Sequence, residues 1–202
     1  MVDEVLRTFI AVELDEVLLH DLAALQNRFK KQTPMGSVKW VAPAGMHLTL
    51  KFLGDTPSER VPEIVAALQR ACAGFSPFDL TLEGRGCFPN FHKPRVIWVS
   101  VREPGHALSR LQRAIEEYVA PLGWPTEARG FSPHLTLGRV SRNVDPDTIA
   151  AVGRAAENSI VEEVGAQHVD RVYLIRSDLR PTGAVYKTLA EAPLRSTQGA
   201  QH

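Results

Sequence analysis

The string His-Leu-Thr-Leu occurs twice in this chain, beginning at His47 and again at His134, 87 residues later. Its alternation of polar and apolar side chains has the period of a β-strand, in which residues i and i+2 share a face. His47 and Thr49 therefore point one way and Leu48 and Leu50 the other; His134, Thr136, Leu135 and Leu137 repeat the arrangement. Each copy leads through a turn into a proline-opened helix, with Pro57 10 residues after His47 and Pro146 12 after His134. Two halves of one plan predict a pseudo-two-fold α+β fold.

The rest of the pattern fits that plan. Thr8 to Leu14 reads as a strand, with Asp15 as N-cap of a helix marked by Leu18, Leu22, Leu25 and Phe29. Val38 to Val41 is a short strand, and Gly54 is expected to end the His47 strand. Thr56-Pro57-Ser58-Glu59 has the form of a capping box before Val61, Ile64, Val65, Leu68 and Cys72. Phe78 to Leu82 and Val96 to Val101 read as strands separated by a long loop punctuated by Gly84, Gly86, Pro89 and Pro94. Leu108, Leu111, Ile115 and Val119 mark a third helix, and Asp145-Pro146 opens a fourth. Val169 to Ile175 and Ala184 to Leu189 are the closing strands, and residues 196–202, small and polar, read as a flexible tail.

Composition excludes several classes of function. There are 23 Lys+Arg against 23 Asp+Glu, so a nucleic-acid coat or polybasic membrane binder is ruled out, and any anion must be held locally. No apolar run approaches the ~20 residues needed to span a bilayer. The acidic start, Asp3 and Glu4, is unlike a secretory signal, and a cytoplasmic protein without a membrane partner is expected. Cys72 and Cys87 read as reduced thiols.

If the leucines face the core, two imidazoles and two hydroxyls remain to converge on the other side. An imidazole titrates near pH ~6.5, so one can accept a proton while the other, kept charged by a bound anion, donates one. Threonine hydroxyls are short, stiff donors suited to the non-bridging oxygens of a phosphate, and an arginine can neutralise charge developing there. A phosphodiester fits every part. One such histidine has an ordinary structural reading; recurrence of the whole string does not, because packing selects the leucines and not the histidines.

With its flanks, the chain resembles the 2H phosphoesterases, named for two His-x-Thr/Ser-x motifs, and within them the RNA 2′,3′-cyclic phosphodiesterases, also called 2′-5′ RNA ligases. The resemblance rests on R-T-F-I-A-V-E-L, W-V-A-P-A-G-M-H-L-T-L-K-F-L-G around His47, P-R-V-I-W-V-S-V around Trp98, F-S-P-H-L-T-L-G-R-V around His134, and the closing strand through Tyr186. It implies one bilobal domain over residues 1–195 with two intertwined lobes, two antiparallel sheets facing a central cleft, and helices outside. It further implies hydrolysis of a terminal 2′,3′-cyclic phosphate to a 2′-phosphate, without metal or other cofactor, by a monomer whose partner is RNA or a cyclic nucleotide. By the same resemblance His47 is the proton donor, His134 the proton acceptor, and Thr49, Thr136 and Arg139 the phosphate ligands; reversal would give a 2′-5′ linkage.

Two of the candidates conflict with strict alternation. Arg139, five residues after His134, falls on the opposite face unless a bulge intervenes. Phe52, five after His47, falls on the leucine face, where core packing competes with stacking on a nucleobase. Arg85, Lys93 and Arg95 offer positive charge to an RNA backbone, with ordinary surface charge as the other reading, and Trp40, Trp98 and Trp124 read as packing volume. The competing functions are a zinc hydrolase, for which no H-x-x-x-H or H-E-x-x-H pairing is present, a non-catalytic RNA-end-binding module, and another 2H activity on ADP-ribose 1″,2″-cyclic phosphate or a 2′-5′ oligonucleotide.

Overall fold

A computed structural model describes residues 4–180 and 183–195; the expected tail at 196–202 lies outside them. Nine strands and four α-helices are described: β1 (Val5–Glu13), α1 (Glu16–Gln32), β2 (Val38–Trp40), β3 (His47–Pro57), α2 (Val61–Cys72), β4 (Phe78–Phe88), β5 (Val96–Arg102), α3 (Ala107–Val119), β6 (His134–Val140), α4 (Pro146–Asn158), β7 (Glu163–Val169), β8 (Arg171–Arg180) and β9 (Gly183–Pro193). They form two antiparallel sheets, one in the order β3-β1-β8-β9 and one in the order β2-β6-β5-β4-β7. The chain crosses from the first sheet to the second through α1 and returns to the first between β2 and β3.

Helices form where local signals and apolar spacing coincide. Asp15 accepts from the Leu18 amide at 2.8 Å and caps α1, whose Leu18, Leu22, Leu25 and Phe29 are buried. Asp145 caps α4 in the same way, with Pro146 in the first turn. α2 packs against α3, β8 and β9, α3 also against β3, and α1 and α4 against β7 and β4 respectively. Leu48, Leu50, Leu135 and Leu137 all enter the main core, as the alternation requires.

Four expectations are corrected. Gly54 does not end its strand: its φ of +73° accommodates a bulge, and β3 continues to pair with β1 as far as Pro57. Thr56 is therefore no helix cap; its hydroxyl meets that of Thr8 at 2.8 Å across the ladder, and α2 begins at Val61 without a side-chain cap. The Gly84–Gly86 segment is strand, with a bulge at Gly84, so the connection between β4 and β5 shrinks to residues 89–95. The run from Val169 to Ile175 is two strands in different sheets, split at Asp170, and β7 before it carries too little apolar alternation to be read as a strand.

Candidate active site

The two motif strands do more than alternate. β3 pairs with β1 so that Ala11 faces Thr49 and Ile10 faces Lys51, leaving Leu50 as an extra residue. β6 pairs with β5 so that Trp98 faces Thr136 and Ile97 faces Gly138, leaving Leu137 extra. The same bulge thus falls on the fourth residue of each His-Leu-Thr-Leu copy, and it reverses the facing of everything after it. Two consecutive residues turn inward in each strand, Leu50-Lys51 and Leu137-Gly138, and the next residue turns out.

Those outward residues are Phe52 and Arg139. Arg139 shares the face of His134 and Thr136, as its candidate role requires; burial pushes the pKa of the Tyr186 phenol, on β9 of the other sheet, upwards, and the positive charge of Arg139 partly opposes this. Phe52 corrects the expectation from alternation: it is 69 % exposed, on the histidine face, with its ring 6.1 Å from that of Phe9. Lys51 takes the inward place, where its ammonium donates to Glu116 and to the Pro125 carbonyl at 2.6 Å each. In β6 the equivalent residue is Gly138, where a Cβ would stand 2.6 Å from Val38 and 2.9 Å from Trp40.

His134 is held from behind by the carbonyl two residues earlier. His134 Nδ1 lies 2.7 Å from the Ser132 carbonyl, which can only accept, so Nδ1 carries the proton and Nε2 keeps its lone pair. Aromatic rings then fix the imidazoles. His47 is stacked on Phe9 at 4.5 Å and meets Tyr186 edge-on at 5.0 Å, while His134 meets Phe88 edge-on at 4.8 Å and Trp98 at 6.0 Å. Burial in its cage pushes the His47 pKa down to about 4, partly opposed by the Gly45 carbonyl.

Sequence reading misses these cages, because Phe9, Phe88, Trp98 and Tyr186 reach the histidines from four other strands. Trp98 in particular is not mere volume: its indole lies against Gly86, where a Cβ would stand 2.1 Å from the ring, and it faces His134. Arg85 is corrected in the other direction. Its guanidinium donates to the Ala156 carbonyl at 2.8 Å and to that of Glu157, closing the end of α4, so it is not free to guide RNA. Among the described residues no three His, Cys, Asp or Glu side chains cluster as metal ligands, and no described helix is long and apolar enough to cross a membrane.

β3 and β6 approach one another, and their outward faces carry His47, Thr49 and Phe52 on one strand and His134, Thr136 and Arg139 on the other. The model of a family described as LigT like Phosphoesterase matches residues 12–98 and again residues 99–186, one histidine motif in each span. The RNA 2′,3′-cyclic phosphodiesterase of Methanothermobacter thermautotrophicus is 36 % identical over 180 residues, 89 % of this chain and 94 % of that protein. The protein of the same name from Thermotoga maritima is 33 % identical over 186 residues, 92 % of this chain and 94 % of that one. Among solved structures, a Thermus thermophilus protein superposes with a TM-score of 0.74 at 31 % identity, covering 94 % of this chain and 98 % of that one. Escherichia coli LigT complexed with 3′-AMP does so with 0.74 at 25 % identity, covering 95 % and 99 %. With both halves matched and both motifs intact, the chain belongs to the LigT-like phosphoesterase family.

Proposed function

We propose that this enzyme is an RNA 2′,3′-cyclic phosphodiesterase that opens a terminal cyclic phosphate to a 2′-phosphate, and that both halves contribute to one catalytic unit. The observation that carries the reading is that each half presents a histidine and a threonine by strand alternation and, through the shared bulge, one further residue on the same face. The relatives that bear the activity in their names support the substrate class.

In this mechanism His134, with Nδ1 tied to Ser132, presents the Nε2 lone pair and removes a proton from water as it attacks phosphorus. The bond from phosphorus to O3′ breaks, and His47 delivers its proton to that oxygen. One water is consumed, and the phosphate stays on O2′. Thr49, Thr136 and Arg139 hold the non-bridging oxygens, where negative charge grows in the transition state. Phe52, exposed beside Phe9, offers its face to the nucleobase. Burial favours the neutral form of His47, and the phosphate anion is what restores its charge, so the donor is armed by substrate binding. Attack by a 5′-hydroxyl in place of water gives the 2′-5′ linkage. The protein acts as a cytoplasmic monomer.

The test is ³¹P NMR of adenosine 2′,3′-cyclic phosphate incubated, with and without EDTA, with wild type, His47→Ala and His134→Ala. A 2′-phosphate formed by the wild type alone is expected. Persistence of the cyclic phosphate, or loss of turnover on chelation, overturns the reading, the latter in favour of a metal hydrolase.

A further inference from the structure

Both bulges are gripped from behind by a buried glutamine. The side-chain amide of Gln26, on α1, donates to the carbonyl of Leu137, the extra residue of β6, at 2.9 Å and to that of Val41 at 2.6 Å. The side-chain amide of Gln112, on α3, donates to the carbonyl of Leu50, the extra residue of β3, at 3.3 Å and to Glu116 at 3.1 Å. Gln26 is 1 % exposed and Gln112 9 %, and each lies on the apolar, core-facing side of its helix. A polar amide among leucines is costly to bury unless its hydrogen bonds are made, and here both N–H groups are used.

The two glutamines also share a sequence frame. Leu22-x-x-Leu25-Gln26-x-x-Phe29 in α1 and Leu108-x-x-Leu111-Gln112-x-x-Ile115 in α3 have the same spacing, 86 residues apart. The service is crossed: the helix that precedes the first motif in the chain supports the second motif's bulge, and the reverse. A bulge carbonyl is displaced from the regular ladder, and a donor fixed by a packed helix holds it to one register.

We infer that Gln26 and Gln112 are positioning residues of the cleft: by fixing the bulges at Leu137 and Leu50, Gln26 aims Arg139 at the bound phosphate and Gln112 aims Phe52 at the bound base. This rests on the phosphodiesterase reading for what is bound, but not for the geometry. Each glutamine serves one outward residue and not the other, which a merely stabilising side chain would not do.

The experiment is a set of double-mutant cycles combining Gln26→Met or Gln112→Met with Arg139→Ala or Phe52→Ala. The readouts are kcat and KM on adenosine 2′,3′-cyclic phosphate, and the Kd of 2′-AMP. Gln26→Met is expected to weaken 2′-AMP binding and turnover about tenfold in the wild-type background and hardly at all once Arg139 is alanine. Gln112→Met is expected to couple to Phe52 in the same way, mainly through KM, and not to Arg139. Equal losses in every background would overturn the inference and leave the glutamines as packing residues. If the wild type fails to turn over the cyclic phosphate, the phosphodiesterase reading falls, and the 2′-AMP cycles alone decide the positioning role. Should a methionine variant fail to fold, Gln26→Asn or Gln112→Asn, with the amide kept but withdrawn by one methylene, goes through the same cycles.

Discussion

β3 and β6 share a sequence motif, a burial pattern and a bulge, yet they set their histidines in different surroundings. His47 is stacked on Phe9 and edged by Tyr186, and its pKa is pushed down to about 4. His134 is touched only edge-on or at a tilt by Phe88 and Trp98, and its Nδ1 is committed to the Ser132 carbonyl. Duplication supplied two equal parts, and what surrounds them makes the parts unequal. The same holds five residues on, where one strand presents an aromatic ring and the other a guanidinium. On the proposed mechanism, acid and base, base site and phosphate site are one design used twice with different neighbours.

The largest effects should come from the histidines themselves. Removing either is expected to lower kcat by ~10²–10⁴, the usual contribution of a positioned acid or base, and the double variant should lose less than the product of the two. Steady-state kinetics in EDTA checks this, and strict multiplication would mean that the two do not act in one step.

Folding stability should separate the pair next. The fold keeps His47 neutral, so the unfolded chain binds a proton that the folded one refuses between pH 6.5 and about 4. The stabilisation is complete above 6.5 and is lost as pH falls towards 4, with a total on the order of 3 kcal/mol. Urea unfolding at pH 7 and pH 4.5 should show His47→Asn losing less than the wild type over that range. Equal losses would mean that the cage does not set the titration.

Arg139 and Phe52 sharpen the comparison further along the strands. Arg139→Ala should weaken every phosphate ligand, whereas Phe52→Ala should cost ~1–3 kcal/mol only for ligands that carry a base. Calorimetry with inorganic phosphate and with 2′-AMP distinguishes them; a Phe52 loss with phosphate alone would contradict the stacking role. The smallest effect is a fraction of a proton. Binding of 2′-AMP at pH 6 should take up protons in the wild type and not in His47→Ala, as read from enthalpies in two buffers of different ionisation heat.

Much of this was legible in sequence because it is local. The repeated motif, the Asp15 and Asp145 caps and the core-facing leucines all follow from period and capping chemistry. A bulge in β6 was legible only as the condition for Arg139 to share the face of His134, and that in β3 not at all, since the residues that hold them, Gln26 and Gln112, lie on helices far along the chain from the strands they support. Their one trace is a glutamine at an apolar helical position, repeated 86 residues on, one short of the motif's spacing. Thr56 misled for a related reason: Gly54 reads as a stop, yet at a bulge it lets the strand continue, and the hydroxyl pairs with Thr8 instead of capping α2. The aromatic cages come from four strands, and only tertiary structure assembles them.

The division of labour between the two motifs is tested most directly with a 2′,3′-cyclic phosphorothiolate whose 3′ bridging oxygen is replaced by sulfur. A thiolate leaves without a proton, so a missing acid no longer matters, while a missing base still does. On this substrate His47→Ala should recover to within about tenfold of the wild type and His134→Ala should stay as impaired as on the oxygen substrate. Recovery of His134→Ala instead would reverse the assignment, and recovery of neither would contradict a separate acid and base.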